Sequence, residues 1–306
     1  MKKSVVLTYA EKCKNILVSN WQGQLNTIKA DAKGSKEDIH SSKIKYFFKR
    51  GKPYVWVPKN DNHNLNTIID ERASLAVSSP SPGALAGLLR SLKKLPTRVA
   101  LTGDLTPLNE ERIRSISESV RETVLSEQLA ISQASYSVSG ILSSPNGKSR
   151  HRSESLQEVL DASDPHVIYK FNIRSCTYID GSGVDHELEM EEIATAKADL
   201  LSPYSGKLID GINQSQSRRR ALMLFCFVYM KVNARDALIL GVDRRGFDVL
   251  GRVESLTTKD GLPEYQWREF RFTFQEEAKD VETFCRLLVE MEEEALKTVQ
   301  DYSGLG

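Results

Sequence analysis

The chain has 306 residues, enough for one large domain or two modest ones. Hydrophobic residues make up 40% and charged residues 27%, which excludes wholesale disorder. The formal net charge of +1 conceals an asymmetry: residues 1–60 hold 13 Lys and Arg against 4 Asp and Glu, and the stretch from Glu276 onward holds 9 acidic residues against 3 basic ones. These read as a solvated basic face and an acidic helix. A nucleic-acid partner is not expected, because Tyr46-Phe47-Phe48 among Lys43, Lys45, Lys49 and Arg50 is the nearest approach to an interleaved aromatic and basic surface, and no recognisable module surrounds it. The longest apolar run, Ala221 to Met230, is about half of what a membrane-spanning helix needs.

Along the chain, Cys13, Ile16 and Leu17 have the spacing of a short amphipathic helix, and Leu25 to Ala30 reads as a strand followed by a polar loop, Asp31 to Ser42. Lys43 to Phe48, the turn at Gly51-Lys52-Pro53 and Tyr54 to Val57 read as a β-hairpin. One or two helical turns over Asn64–Asp70 precede a strand over Ala73–Ser78. A Pro/Gly break then leads to a helix over Ala84–Leu95, a strand over Arg98–Thr102 and a long helix over Glu110–Leu129 with Ile113, Ile116, Val120 and Val124 as its stripe. Ser143 to Ser153 reads as a flexible excursion, because it has no large apolar residue, and His166–Ile179 as a strand. This strand-rich part with inserted helices points to a small barrel rather than βαβ alternation. The remainder has a helical stretch from Pro203 to Met230, strands at Ala237–Val242, Phe247–Val253 and Trp267–Phe274, and a final amphipathic helix carrying Val281, Phe284, Cys285, Leu288, Met291 and Ala295. The fold class expected is therefore α+β: a barrel over residues 1–198 and a small C-terminal α+β domain over 199–306.

The familiar catalytic patterns are missing. There is no Walker A loop, no GxGxxG, no GxSxG elbow and no HExxH. The histidines, His40, His63, His151, His166 and His186, stand at no metal-ligand spacing, so no metal site is expected, and none follows His186. Cys13, Cys176, Cys226 and Cys285 form no CxxC pair and read as small apolar packing groups in a reducing compartment. Asp243 to Asp248 reads as a hairpin turn, and Arg218-Arg219-Arg220 as a solubilising helical edge.

Three segments carry a resemblance. Gly51-Lys52-Pro53-Tyr54-Val55-Trp56-Val57-Pro58, then His63-Asn64-Leu65-Asn66-Thr67-Ile68-Ile69-Asp70-Glu71-Arg72-Ala73-Ser74-Leu75, then Arg98-Val99-Ala100-Leu101-Thr102-Gly103 resemble, in order and spacing, the FMN-binding split-barrel superfamily of pyridoxamine 5'-phosphate oxidase-like proteins. Asp243 to Asp248 and Phe270 to Met291 resemble the appended domain of its HugZ-type haem-binding branch and plant relatives. The resemblance implies a homodimer of split barrels holding a flat cofactor, FMN or haem, in the cleft between subunits. His63, Asn66, Arg72 and Ser74 would be the cofactor-binding residues, and the setting would be plastid stroma or cytoplasm. It leaves two functions open: a flavin- or haem-dependent oxidoreductase, or a non-catalytic regulator binding an enzyme of tetrapyrrole metabolism. The chain departs from the pattern at Glu71, where relatives have Pro. It departs again at Asn213-Gln214-Ser215-Gln216, where they carry an acidic run ending in His, and at Asp301 to Gly306, which lacks their haem-ligating histidine.

Overall fold

The computed structural model describes residues 7–30, 38–81, 83–142, 152–162, 164–255 and 264–303. Helix α1 (Tyr9–Ser19) starts at a capping box in which the Thr8 hydroxyl accepts from the Glu11 N–H while Glu11 reaches back to the Thr8 N–H. Six strands follow in antiparallel pairs: β1 (Gln22–Ile28), β2 (Ile39–Lys49), β3 (Lys52–Pro58), β4 (Arg72–Ser78), β5 (Arg98–Pro107) and β6 (His166–Ile179). Their order, β3-β2-β1-β4-β5-β6 with β3 returning to pair with β6, closes a barrel, and β7 (Asp185–Leu188) extends the β6 edge. The 54–57 ribbon and the 73–78 segment thus belong to one sheet, as a barrel requires.

Strand alternation divides the wall into two faces. Inward residues Leu25, Val55, Leu75, Leu101 and Phe171 fill the interior, and α1 closes one end with Cys13 and Leu17, the Leu17 carbonyl accepting from the buried Tyr46 hydroxyl at 2.8 Å. Outside, Phe47, Trp56 and Ile168 on β2, β3 and β6 are covered by α4 (Glu110–Ser132) and α6 (Arg152–Asp161) through Ile116, Val120, Val124 and Leu156. Tyr46, Phe47 and Phe48 are all buried, which removes them from any stacking surface.

Several boundaries differ from the sequence reading: the first strand runs from Gln22 to Ile28 rather than Leu25 to Ala30, and the helix read over Ala84–Leu95 ends at Ser91. The polar loop ends earlier, because Ile39 to Ser42 pair with Leu25 to Ile28 and so lengthen β2; residues 31–37 lie outside the described residues. The excursion at 143–151 also lies outside them, but Arg152 and Ser153 open α6 and are buried, the Arg152 guanidinium pairing with the buried Glu127 carboxylate. Strand β5 runs on past Thr102 to Pro107 over a bulge at Thr102/Gly103. The stretch 203–230 is two helices, α8 (Ser205–Gln214) and α9 (Gln216–Met230), broken at Ser215, whose hydroxyl caps α9.

Between the barrel strands lie α2 (Asn62–Ile69), α3 (Gly83–Ser91) and α5 (Tyr136–Leu142), and α7 (Met190–Thr195) follows β7. The chain ends with a three-stranded antiparallel sheet, β8 (Ala234–Asp243), β9 (Gly246–Glu254) and β10 (Tyr265–Thr273), and with α10 (Val281–Ser303). Its core joins Phe225, Phe247, Phe272 and Phe284 to Leu85, Leu89, Val138, Ile141 and Leu142 of α3 and α5. Asn213 pins this sheet to α8: its amide donates to the Ile239 carbonyl at 2.9 Å and accepts from the Ile239 N–H at 2.7 Å. The Asp243–Gly246 turn is as the sequence reading has it, with the Asp243 carboxylate accepting the Arg245 N–H at 2.8 Å.

Candidate functional site: the open wall of the barrel

Strands β1, β4 and β5 and the far half of β6 carry an outer face that none of the described helices covers with an apolar cluster. Here the register places Ser41, Asn26, Ser74, Thr102 and Ser175 side by side, one per strand across β2-β1-β4-β5-β6. Ser41 donates to the Asn26 side-chain oxygen, Asn26 donates to Ser74 Oγ at 3.0 Å, and the Thr102 and Ser175 hydroxyls are hydrogen-bonded to each other. The adjoining row holds Gln24, Ala76, Ala100 and Thr177, with Lys43 of β2 opposite Gln24, so the wall is flat over β4, β5 and β6, where no side chain of the two rows is longer than that of threonine. Arginines stand beside the row. Arg72 is held by Asp70 in a fork, Nε at 2.9 Å and Nη2 at 2.6 Å, and Arg174, the extra residue of the bulge, lies 2.7 Å from Asp104. The Arg72 guanidinium keeps the Asp70 carboxyl below the ordinary carboxylate range.

The four residues singled out by the resemblance divide across this wall. Arg72 and Ser74 point outward on β4, whereas His63 and Asn66, on one side of α2, point inward and are buried. His63 Nδ1 lies 2.8 Å from Thr27 Oγ1 and Nε2 lies 3.0 Å from Ser42 Oγ. Asn66 donates to the same Thr27 hydroxyl at 2.8 Å and accepts from the Ala30 N–H at 2.8 Å. The pair therefore ties α2 to β1 and β2, directly behind the polar row. Burial pulls the His63 imidazole down to about 4, so it is neutral near pH 7.

Sequence spacing missed one association. The His40 ring of β2 packs tilted against the His63 ring, centroids 4.4 Å apart, its Nε2 3.2 Å from Asp61, and the donor atoms of His40, Asp61 and His63 lie within 4.8 Å of one another. Both His63 nitrogens already have hydroxyl partners and Asp61 caps α2 through the His63 N–H, so the trio acts here as packing and capping. Only pairing of β2 with β1 brings His40 to α2; no signal in the chain order carries it. Next to the row, Ile39, Leu65, Ile68 and Ile69 are all more than half exposed, an apolar patch along α2 and the start of β2.

A closed six-stranded barrel with an open polar wall and an appended α+β unit defines a split-barrel protein. No family model matches the chain, and no curated protein matches it. Among solved structures it is similar to a heme binding protein from Mycobacterium smegmatis over 96% of this chain and 99% of the other, at 20% identity and a TM-score of 0.55. The protein Atu2129 from Agrobacterium tumefaciens, of unknown function, aligns over 95% and 100% of the two chains at 12% identity and a TM-score of 0.39. Campylobacter jejuni ChuZ aligns over 62% and 63% at 12% identity and a TM-score of 0.39. The mycobacterial likeness is one of fold, and it runs through both the barrel and the C-terminal unit. Among the described residues no helix is long and apolar enough to cross a membrane.

Proposed function

We propose that the protein binds a flat anionic cofactor, haem or FMN, against the open wall of the barrel, in a slot closed by a second copy of the chain. The reading rests on one observation, the in-register row of short polar side chains beside Arg72 and Arg174. A planar ring needs a flat floor, which the Ser, Thr and Ala side chains provide; its carboxylates or phosphate need hydroxyl and guanidinium donors at the rim. Arg72 and Ser74 would touch the ligand, and His63 and Asn66 would position β1 from behind. The hydroxyls and amides of the row would bind and orient the ring, and the chemistry of a bound ring would be the cofactor's own. The heme binding of the mycobacterial relative supports the ligand class, and the apolar patch at Leu65, Ile68 and Ile69 supports the paired state. The same patch would serve the alternative, a non-catalytic regulator docked on an enzyme of tetrapyrrole metabolism.

Titration with haemin and with FMN, followed in the visible spectrum, tests the reading. One of the two is expected to saturate in the micromolar range, Arg72→Ala to weaken it about tenfold, and Ser74→Trp, which raises a bulky ring from the floor, to abolish it. A spectrum unchanged by either ligand would leave the regulator as the surviving reading.

A further inference from the structure

At the far end of β2 from the polar row, the turn into β3 gathers positive charge. Arg50 and Gly51 both have positive φ (49° and 78°), the two-residue turn that suits a twisted hairpin. This turn, with Lys52, Lys14 of α1, Ile173 and α7, surrounds a cavity of about 440 Å³. Its lining combines three cations, Lys14, Arg50 and Lys52, with Ile173, Met190, Ile193 and two alanines. Glu189, Glu191 and Glu192 sit on or next to α7, but none of them lines the cavity.

Lys14 is the informative residue. The residue is only 5% exposed, its ammonium lies 5.2 Å from the Phe48 ring centre and close to the Cys176 thiol and Gly51, and among the described residues no carboxylate pairs with it. Its stem is buried while its charge faces the cavity, so an anion entering there meets the ammonium at close range. Its neighbours add to the imbalance. Across Arg50 a second cavity of about 270 Å³ is lined by Lys49, Arg112 and Lys170 together with Ser115 and Ser119. Contact with the Lys52 ammonium holds Lys170 below the ordinary lysine range, and burial does the same to Lys14. Among the described residues none of these six cations forms an ion pair.

We propose that the cavity between the β2–β3 turn, α1 and α7 binds a phosphorylated small molecule. The phosphate dianion sits among Lys14, Arg50 and Lys52, and a compact apolar body rests on Ile173, Met190 and Ile193. A guanidinium fork beside two ammonium groups matches a tetrahedral dianion, and three cations around one cavity leave a monoanion undercompensating the charge. This site is separate from the wall: Arg50 lies nine residues beyond Ser41 along β2, on the order of 25–30 Å of strand.

The test uses the full chain, with phenyl phosphate and inorganic phosphate as probes, benzoate as the carboxylate control and sodium chloride at matched ionic strength. Calorimetric binding is expected for both phosphates, tighter for phenyl phosphate, and weakened about tenfold or more in Lys14→Met and in Arg50→Asn. Asn tolerates the left-handed backbone at position 50, so the second variant keeps the turn and removes only the guanidinium. If Lys14→Met does not fold, Arg50→Asn carries the test alone. Undiminished binding in the variants, equal binding of benzoate, or an effect that chloride reproduces overturns the proposal.

Discussion

His63 has no exposed surface, and its two ring nitrogens meet hydroxyls from two different strands. Because the folded imidazole titrates at about 4 and a solvated one near 6.5, the unfolded chain binds a proton that the native chain refuses between those values. Stability is therefore whole above pH 6.5 and is lost as pH falls toward 4, by about 3 kcal/mol from this one group. Chemical denaturation at a series of pH values in wild type and His63→Gln checks this; a curve that the substitution leaves unchanged refutes it. The motif around His63 was legible in the sequence as a pattern, as was the three-residue spacing that puts Asn66 on the same side of a helical turn. What the pattern could not convey was direction. Thr27 and Ser42 become partners only through β1–β2 pairing, and that pairing turns His63 and Asn66 inward while strand alternation turns Arg72 and Ser74 outward.

At the scale of elements, α8 and α5 approach so closely that a Cβ on Gly211 would stand 2.1 Å from the Ile141 carbonyl oxygen. Gly211→Ala must push the helices apart, at a cost of about 1–3 kcal/mol or more. Urea unfolding is expected to show a lowered midpoint at unchanged slope; a midpoint equal to wild type would mean that α5 moves freely. Period and turn chemistry located most elements, because amphipathic stripes and Gly or Pro turns act locally. The errors fall where a partner overrides local composition. Ile39 to Ser42 looked like loop because they are mostly polar, yet β1 supplies their ladder. Arg152 looked like part of a solvated segment, yet Glu127 and the Phe47 ring, 5.6 Å away, make it the buried start of a helix. The break at Ser215 is small in the sequence because both flanking helices are well formed and only a capping hydroxyl separates them.

In the whole molecule, Arg244 fastens the barrel to the C-terminal sheet. From the β8–β9 turn its guanidinium reaches Glu11 of α1 at 2.9 Å, Asp199 at 3.2 Å and Glu277 at 3.3 Å, and Asp199 is almost fully buried. Arg244→Met leaves the Asp199 carboxylate without its cation, a loss of about 3–5 kcal/mol. A lowered and broadened melting transition in calorimetry is expected; an unchanged melt would show that the shared apolar core alone holds the two parts together. That core includes α3 and α5, which the chain inserts between barrel strands, so the two parts interlock rather than merely follow one another.

Read alone, the 306 residues specified their elements and the barrel class, since helical stripes, alternating strands and turn residues act over a few positions. The motif order narrowed that class to split barrels. The flat outer wall, the inward turn of His63 and Asn66, the uncompensated Lys14 and the grip of Arg244 belong to the tertiary structure. Each depends on strand register or on charges brought together from distant segments, and neither is written in the spacing of neighbours along the chain.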